Sequence, residues 1–90
     1  MPTGMAPQNE KVKEIRNILL NELDTTKIFV SWKDKEAKLV HMIIEGDATI
    51  DRETFDDLVQ DKLPHDLFDY KNYPSNKLVD WAETHILFHV

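Results

Sequence analysis

The sequence predicts a small α+β domain in which two helices pack on one face of an antiparallel sheet. The predicted order is helix, strand, strand, helix, loop, strand. Three observations predict it. Apolar residues recur at helical spacing in two segments, they alternate with period two in three others, and the chain has only two glycines, Gly4 and Gly46, to punctuate it. Ninety residues are enough for one domain and too few for two.

Residues 1–9 contain Pro2 and Pro7 and no periodicity, and read as a disordered lead-in to a domain spanning 10–90. Asn9 is placed to cap a helix by accepting from an orphan N–H of the first turn. From Glu10 to Leu23, the residues Val12, Ile15, Leu19 and Leu23 mark one helical face, and Ile18 and Leu20 widen it. Asp24-Thr25-Thr26 ends the pattern. Lys27 to Lys33 alternates, with Ile28, Val30 and Trp32 on one face and Phe29 and Ser31 on the other. Lys38 to Ile44 alternates in the same way, with Val40, Met42 and Ile44 against Leu39, His41 and Ile43. The charged turn Asp34-Lys35-Glu36 between them is short, so the two strands pair antiparallel. A second strand apolar on both faces belongs inside a sheet, and a third strand is expected beside it.

Asp51 is a plausible cap for a second helix over residues 52–63, with Phe55, Leu58, Val59 and Leu63 as its stripe and Pro64 as its stop. Residues 64–68 read as a short helical turn and Tyr70-Lys71-Asn72-Tyr73-Pro74 as a loop. Ser75 is a candidate cap for a short helix through Leu78, Val79 and Ala82, before a strand with Ile86, Phe88 and Val90 on one face. A single helix to the C-terminus is the competing reading of that last stretch.

Composition removes several chemistries. There is no cysteine, hence no disulfide scaffold, thiolate metal site or cysteine nucleophile. No glycine-rich phosphate loop is present. The longest apolar run, Met42-Ile43-Ile44, falls far short of the ~18 residues a membrane helix needs. No secretory h-region follows the start, so a cytoplasmic location and no membrane contact are expected. Ser31 and Ser75 lie in no recognisable nucleophile elbow, and a domain this small seldom holds a deep pocket. The chain is therefore expected to be non-catalytic and to need no cofactor.

The net charge of -6 is concentrated in one region. Residues 45–69 hold nine acidic side chains against two basic ones, and the rest is nearly balanced. On a helix Glu53, Asp57 and Asp61 recur at every fourth position, opposite the Phe55 stripe, with Asp56 beside them. Such a face either keeps a small protein solvated or meets a basic protein surface. It repels phosphate, so direct nucleic-acid binding there is not expected. The lysines at 27, 33, 35 and 38 are interrupted by Asp34 and Glu36 and make a weak nucleic-acid patch. Phe29, Trp32, Phe55, Phe68, Trp81 and Phe88 sit within apolar patterns and read as core. Tyr70 and Tyr73, in a polar stretch, read either as caps on the core or as rigid contact residues.

Two metal readings also arise. Glu45 to Phe55 resembles the second half of an EF-hand calcium loop entering its helix, and that likeness implies oxygen donors from Glu45, Asp47 and Asp51. It departs from the pattern where Ile43, Ala48 and Thr54 stand at the first ligand, turn glycine and terminal glutamate positions. His85 and His89 share a face on either backbone. A helix lets both bind one zinc, but a strand sets them ~13 Å apart.

The sequence thus leads to a small protein-binding module, an inhibitor, adaptor or subunit. Glu53, Asp56, Asp57 and Asp61 would engage a basic partner, with Tyr70 and Tyr73 as anchors. A metal-binding protein using the C-terminal His pair or the acidic 45–53 loop is the alternative. A second copy of the chain, burying the wide stripe of the first helix or a sheet edge, is a further candidate partner.

Overall fold

The computed structural model describes residues 9–23, 27–63 and 67–90. The lead-in over residues 1–8, the break at 24–26, and Pro64, His65 and Asp66 lie outside them. The order is α1 (Glu10–Glu22), β1 (Lys27–Asp34), β2 (Leu39–Gly46), α2 (Arg52–Val59), β3 (Leu67–Tyr73) and β4 (Ala82–His89). All four strands form one antiparallel sheet in the order β1-β2-β4-β3. The chain is therefore two αββ units that lay their second strands side by side at the centre of the sheet.

Each helix starts where a polar side chain satisfies its orphan donors. Asn9 Oδ1 accepts from the N–H groups of Lys11 and Val12, at 2.8 and 3.3 Å. Asp51 Oδ1 accepts from Thr54 N–H at 2.8 Å, and hydrogen bonding from the Thr54 side chain and then from its N–H holds the Asp51 carboxyl below the usual range. The second helix is shorter than the periodicity implied. It ends at Val59, whose carbonyl accepts from both Lys62 and Leu63 N–H. That turn folds Leu63 into the core and lets Lys62 reach Glu14 of α1, at 2.6 Å.

The core is one cluster between the helices and one sheet face. Val12, Ile15 and Leu19 of α1, Phe55 and Val59 of α2, and Leu63 meet Ile28, Val40, Met42, Ile44, Ile86 and Phe88. The register explains the choice. Val40 lies opposite Phe88, Met42 opposite Ile86 and Ile44 opposite Thr84, so one face of the central pair is buried throughout. Thr84 is a buried polar residue there, and it is fully used: its hydroxyl donates to Asn72 Oδ1 and accepts from Ile50 N–H. Among the described residues, no buried side-chain polar atom lacks a partner.

Three local expectations are corrected. The stretch expected as a loop around Tyr70 and Tyr73 is β3, an edge strand. A bulge between Leu67 and Asp69 shifts its alternation by one residue. Leu67 and Tyr70, three apart, thereby share the core face, a spacing that in sequence does not look like a strand. Residues 75–79 form no helix. Asn76, not Ser75, organises them, its Oδ1 accepting from Leu78 and Val79 N–H. The C-terminal stretch is the strand the sequence predicts, and the competing single-helix reading is excluded. The aromatics also divide: Phe55 and Phe88 are buried and Trp32 partly so, but Phe29, Phe68 and Trp81 are exposed.

The shortest dimension of the molecule is 22 Å, the depth of one helix layer on one sheet. Among the described residues, no helix therefore lies over the second face of the sheet. Phe55→Ala should cost about 3–5 kcal/mol, whereas Phe29→Ala, on the uncovered face, should change stability by less than about 1 kcal/mol. Urea unfolding followed by circular dichroism measures both, and equal losses would mean that the uncovered face contributes to the core.

Candidate functional site

The uncovered face is built from the residues that alternate with the core. They are Phe29, Ser31, His41, Ile43, Glu83, His85, Leu87, Lys71 and Tyr73, as the register places them. Ile43 lies opposite His85 and His41 opposite Leu87, so the two histidines are diagonal neighbours on the central strands. Their rings meet: His41 Nε2 and His85 Nδ1 are 3.0 Å apart. The other nitrogen of His85, Nε2, lies 2.8 Å from Glu83 Oε1. Trp81 Nε1–H donates to Glu83 Oε2, also at 2.8 Å.

These contacts determine the protons. A carboxylate only accepts, so His85 carries its proton on Nε2 and donates it to Glu83. Neutral His85 then has a lone pair on Nδ1, and His41 Nε2–H donates to it. The bonds from His85 and Trp81 hold the Glu83 carboxyl below its usual range. Burial, followed by the repulsion that a protonated His85 and then Lys33 would exert on a charged ring, lowers His41 below the ordinary histidine value. Trp81, Glu83, His85 and His41 are thus one polar chain across two strands. Tyr73 stacks its ring edge-on against His85, with centroids 4.9 Å apart.

Around this chain the surface is aromatic and furrowed. Phe29, Phe68, Tyr73 and Trp81 are 50%, 65%, 49% and 46% exposed, far above what a covered sheet face would show. A cleft of about 300 Å³ lies between Tyr73, Trp81, Glu83 and His85, floored by Asn76 and Val79. A second, of about 160 Å³, runs beside His41, Lys33 and Lys71 and shares Tyr73 and His85 with the first. A third, of about 240 Å³, lies on the other side of Trp81, with Lys27, Glu45 and Asp47.

The structure does not bring the sequence-predicted contact residues together. Glu53 and Asp57 are exposed on α2, away from its buried Phe55 and Val59. Asp56 pairs with Arg52 at 3.6 Å, and Asp61 lies in the turn beyond the helix, so the regular stripe stops at Asp57. Tyr73 is exposed on the uncovered sheet face, on the opposite side of the molecule. Tyr70 is on the core side, its ring 5.8 Å from that of Phe55 and its hydroxyl donating to the carbonyl of Ile50. It anchors the segment leading into α2 and is not an exposed contact.

The two expected metal groupings are not assembled either. Asp51 is committed to capping α2, and Glu45 is a residue of β2. His89 stands four residues along the strand from His85, with its own contact to the carbonyl of Ala37. The histidine that does reach His85 is His41. Among the described residues, no three His, Cys, Asp or Glu side chains converge as a metal site. His65 and Asp66 lie outside the described residues.

Sequence reasoning missed Trp81, Glu83 and His41 as one group. The alternation of β2 and β4 already placed His41 and His85 on non-core faces, but nothing in the sequence sets the register between strands so far apart. No family model, curated protein or solved structure matches the chain.

Tyr70 yields a prediction with a definite sign. Burial, with a smaller contribution from Asp51 and Asp56, raises its phenol well above the usual tyrosine value. The unfolded chain ionises near pH 10, so the stability contributed by the neutral, bonded phenol is complete below that pH and is lost as the pH rises above it. Tyr70→Phe should be about 1 kcal/mol less stable at neutral pH. Its deficit should shrink in urea titrations above pH ~10, because the variant cannot ionise at that position. A deficit that stays constant would contradict this assignment.

Proposed function

We propose that this chain is a non-catalytic protein-binding module that docks a basic partner through its uncovered sheet face, centred on Trp81 and Tyr73. The observation that carries the reading is the combination of a sheet face over which no helix of the described residues lies and four large aromatics exposed on it or at its rim. Trp81 and Tyr73 have the chemistry of binding hot spots, with large area and few rotamers to lose. Trp81 is held in place by its bond to Glu83, and Tyr73 by its packing on His85.

Charge argues for a basic partner. The net charge of -6 favours encounter with a positively charged protein at long range. At short range, clefts lie on both sides of Trp81, one holding Glu45 and Asp47 with Lys27, the other holding Glu83. A lysine or arginine of the partner can lay its stem on the indole and place its head toward a carboxylate. In this reading Glu53, Asp57 and Asp61 steer the encounter and stay in water.

The test is affinity capture with the intact protein, followed by association and dissociation rates for the purified partner. Trp81→Ala and Tyr73→Ala should each weaken binding by more than about tenfold, mainly through faster dissociation, while Trp81→Phe retains part of it. Glu53→Lys/Asp57→Lys should mainly slow association, as should added salt. If the helix variant abolished binding and the Trp81 and Tyr73 variants did not, the contact would be the acidic helix face. Binding unaffected by all of these changes and by salt would overturn the reading.

A further inference from the structure

We infer that His41 and His85 form a binding site for a divalent transition-metal ion of the Zn²⁺, Ni²⁺ or Cu²⁺ class, with Glu83 as the carboxylate behind one of the two ligands. The inference rests on the geometry of three side chains and is independent of the docking reading above.

The first argument is convergence. His41 Nε2 and His85 Nδ1 approach to 3.0 Å from two different strands. Two imidazole nitrogens on one tetrahedral zinc, each at ~2.05 Å from the metal, are separated by roughly 3.3 Å. The pair needs to open by only a few tenths of an ångström, with both rings turning so that their lone pairs converge on one point beside the N···N line. Neutral imidazole suits the borderline ions of this class.

The second argument is the proton on the far side. Metal-ligating histidines characteristically donate their remaining ring N–H to a carboxylate, which fixes the tautomer and strengthens the ligand. His85 does this toward Glu83 at 2.8 Å. Glu83 is itself fixed from behind by Trp81 Nε1–H. Nδ1 is thereby left as the lone-pair nitrogen, and it is the nitrogen aimed at His41. Among the described residues no helix packs on this face, so core packing does not call for these bonds.

On binding, His85 keeps its tautomer. His41 moves its proton from Nε2 to Nδ1, so both ligands remain neutral and no proton need be released. Both histidines are half-buried in the sheet surface, so strand pairing rather than metal binding bears the cost of orienting them. The described residues supply two ligands, and no third His, Cys, Asp or Glu among them converges on the same point. Water completes the coordination. Lys33, on the edge of the same cleft, contributes positive charge that disfavours a cation there, so affinity below that of a closed structural site is expected.

The experiment is calorimetric titration of the 90-residue chain with Zn²⁺ and with Ni²⁺, together with NMR of its histidine side chains. The expected result is one ion per chain, with paramagnetic broadening by Ni²⁺ confined first to the rings of His41 and His85. His41→Gln and His85→Gln should each abolish the measured binding, and Glu83→Gln should weaken it by about 10- to 100-fold. His89→Ala should leave it unchanged. Circular dichroism of every variant checks the fold, and Glu83→Gln keeps the test valid if a histidine variant unfolds. No binding at millimolar metal, or binding by the His85→Gln variant equal to that of the intact protein, would overturn the site.

Discussion

The pairing of β2 with β4 is the interaction on which the rest of this structure depends. It joins two αββ units whose internal hairpins are local, and it is the one strand pairing made across a long stretch of chain. On its inner face it stacks Val40 on Phe88 and Met42 on Ile86, which gives both helices a surface to cover. On its outer face the same register sets His41 diagonal to His85. A slip of one residue would exchange the two faces, putting histidines into the core and isoleucine, methionine and phenylalanine into water. The burial of the inner face therefore maintains the geometry of the outer one.

The second constraint is size. Among the described residues, two helices of 13 and 8 residues cover one side of a four-stranded sheet, and no helix covers the other. The edges are managed locally. Both outer strands carry a register irregularity, at Trp32/Asp34 in β1 and Leu67/Asp69 in β3, which interrupts the row of open hydrogen-bonding groups. The broad face receives no such treatment. It keeps exposed phenylalanine, tyrosine and tryptophan where lysine or threonine would serve solubility better.

Much of the architecture was legible in the sequence because it is written in periodicity. Asn9 and Asp51 are caps, Ile28, Val40, Met42, Ile44, Ile86 and Phe88 face the core, and the helices share one side of the sheet. The failures have a common cause. β3 looked like a loop because a bulge breaks its alternation, so its only core residues, Leu67 and Tyr70, fall three apart. Trp81 and Phe29 looked like core because a single sequence tells apolar from polar but cannot tell which of two sheet faces will be covered. The acidic positions were legible as charge but not as a site, since helix length decides whether Asp61 continues the line of Glu53 and Asp57. His41 and His85 could be assigned to a face, but their contact spans 44 residues of sequence and depends on register alone.

The two sides of the sheet differ in what their polar groups are for. On the core side, among the described residues, the buried Thr84 and half-buried Tyr70 have structural tasks. Thr84 and Tyr70 between them hold the N–H and the carbonyl of Ile50, fixing the segment that leads into α2. Replacing either would leave a backbone group without its partner. On the uncovered side the fold asks for nothing so specific. Threonine, valine or lysine at positions 41, 83 and 85 would pair the strands equally well. Instead an indole, a carboxylate and two imidazoles are joined end to end, and water competes for every one of those bonds. Arrangements that local rules and packing do not demand are where a fold carries its function. On that ground the proposed binding role falls to the Trp81–Glu83–His85–His41 chain rather than to the acidic helix.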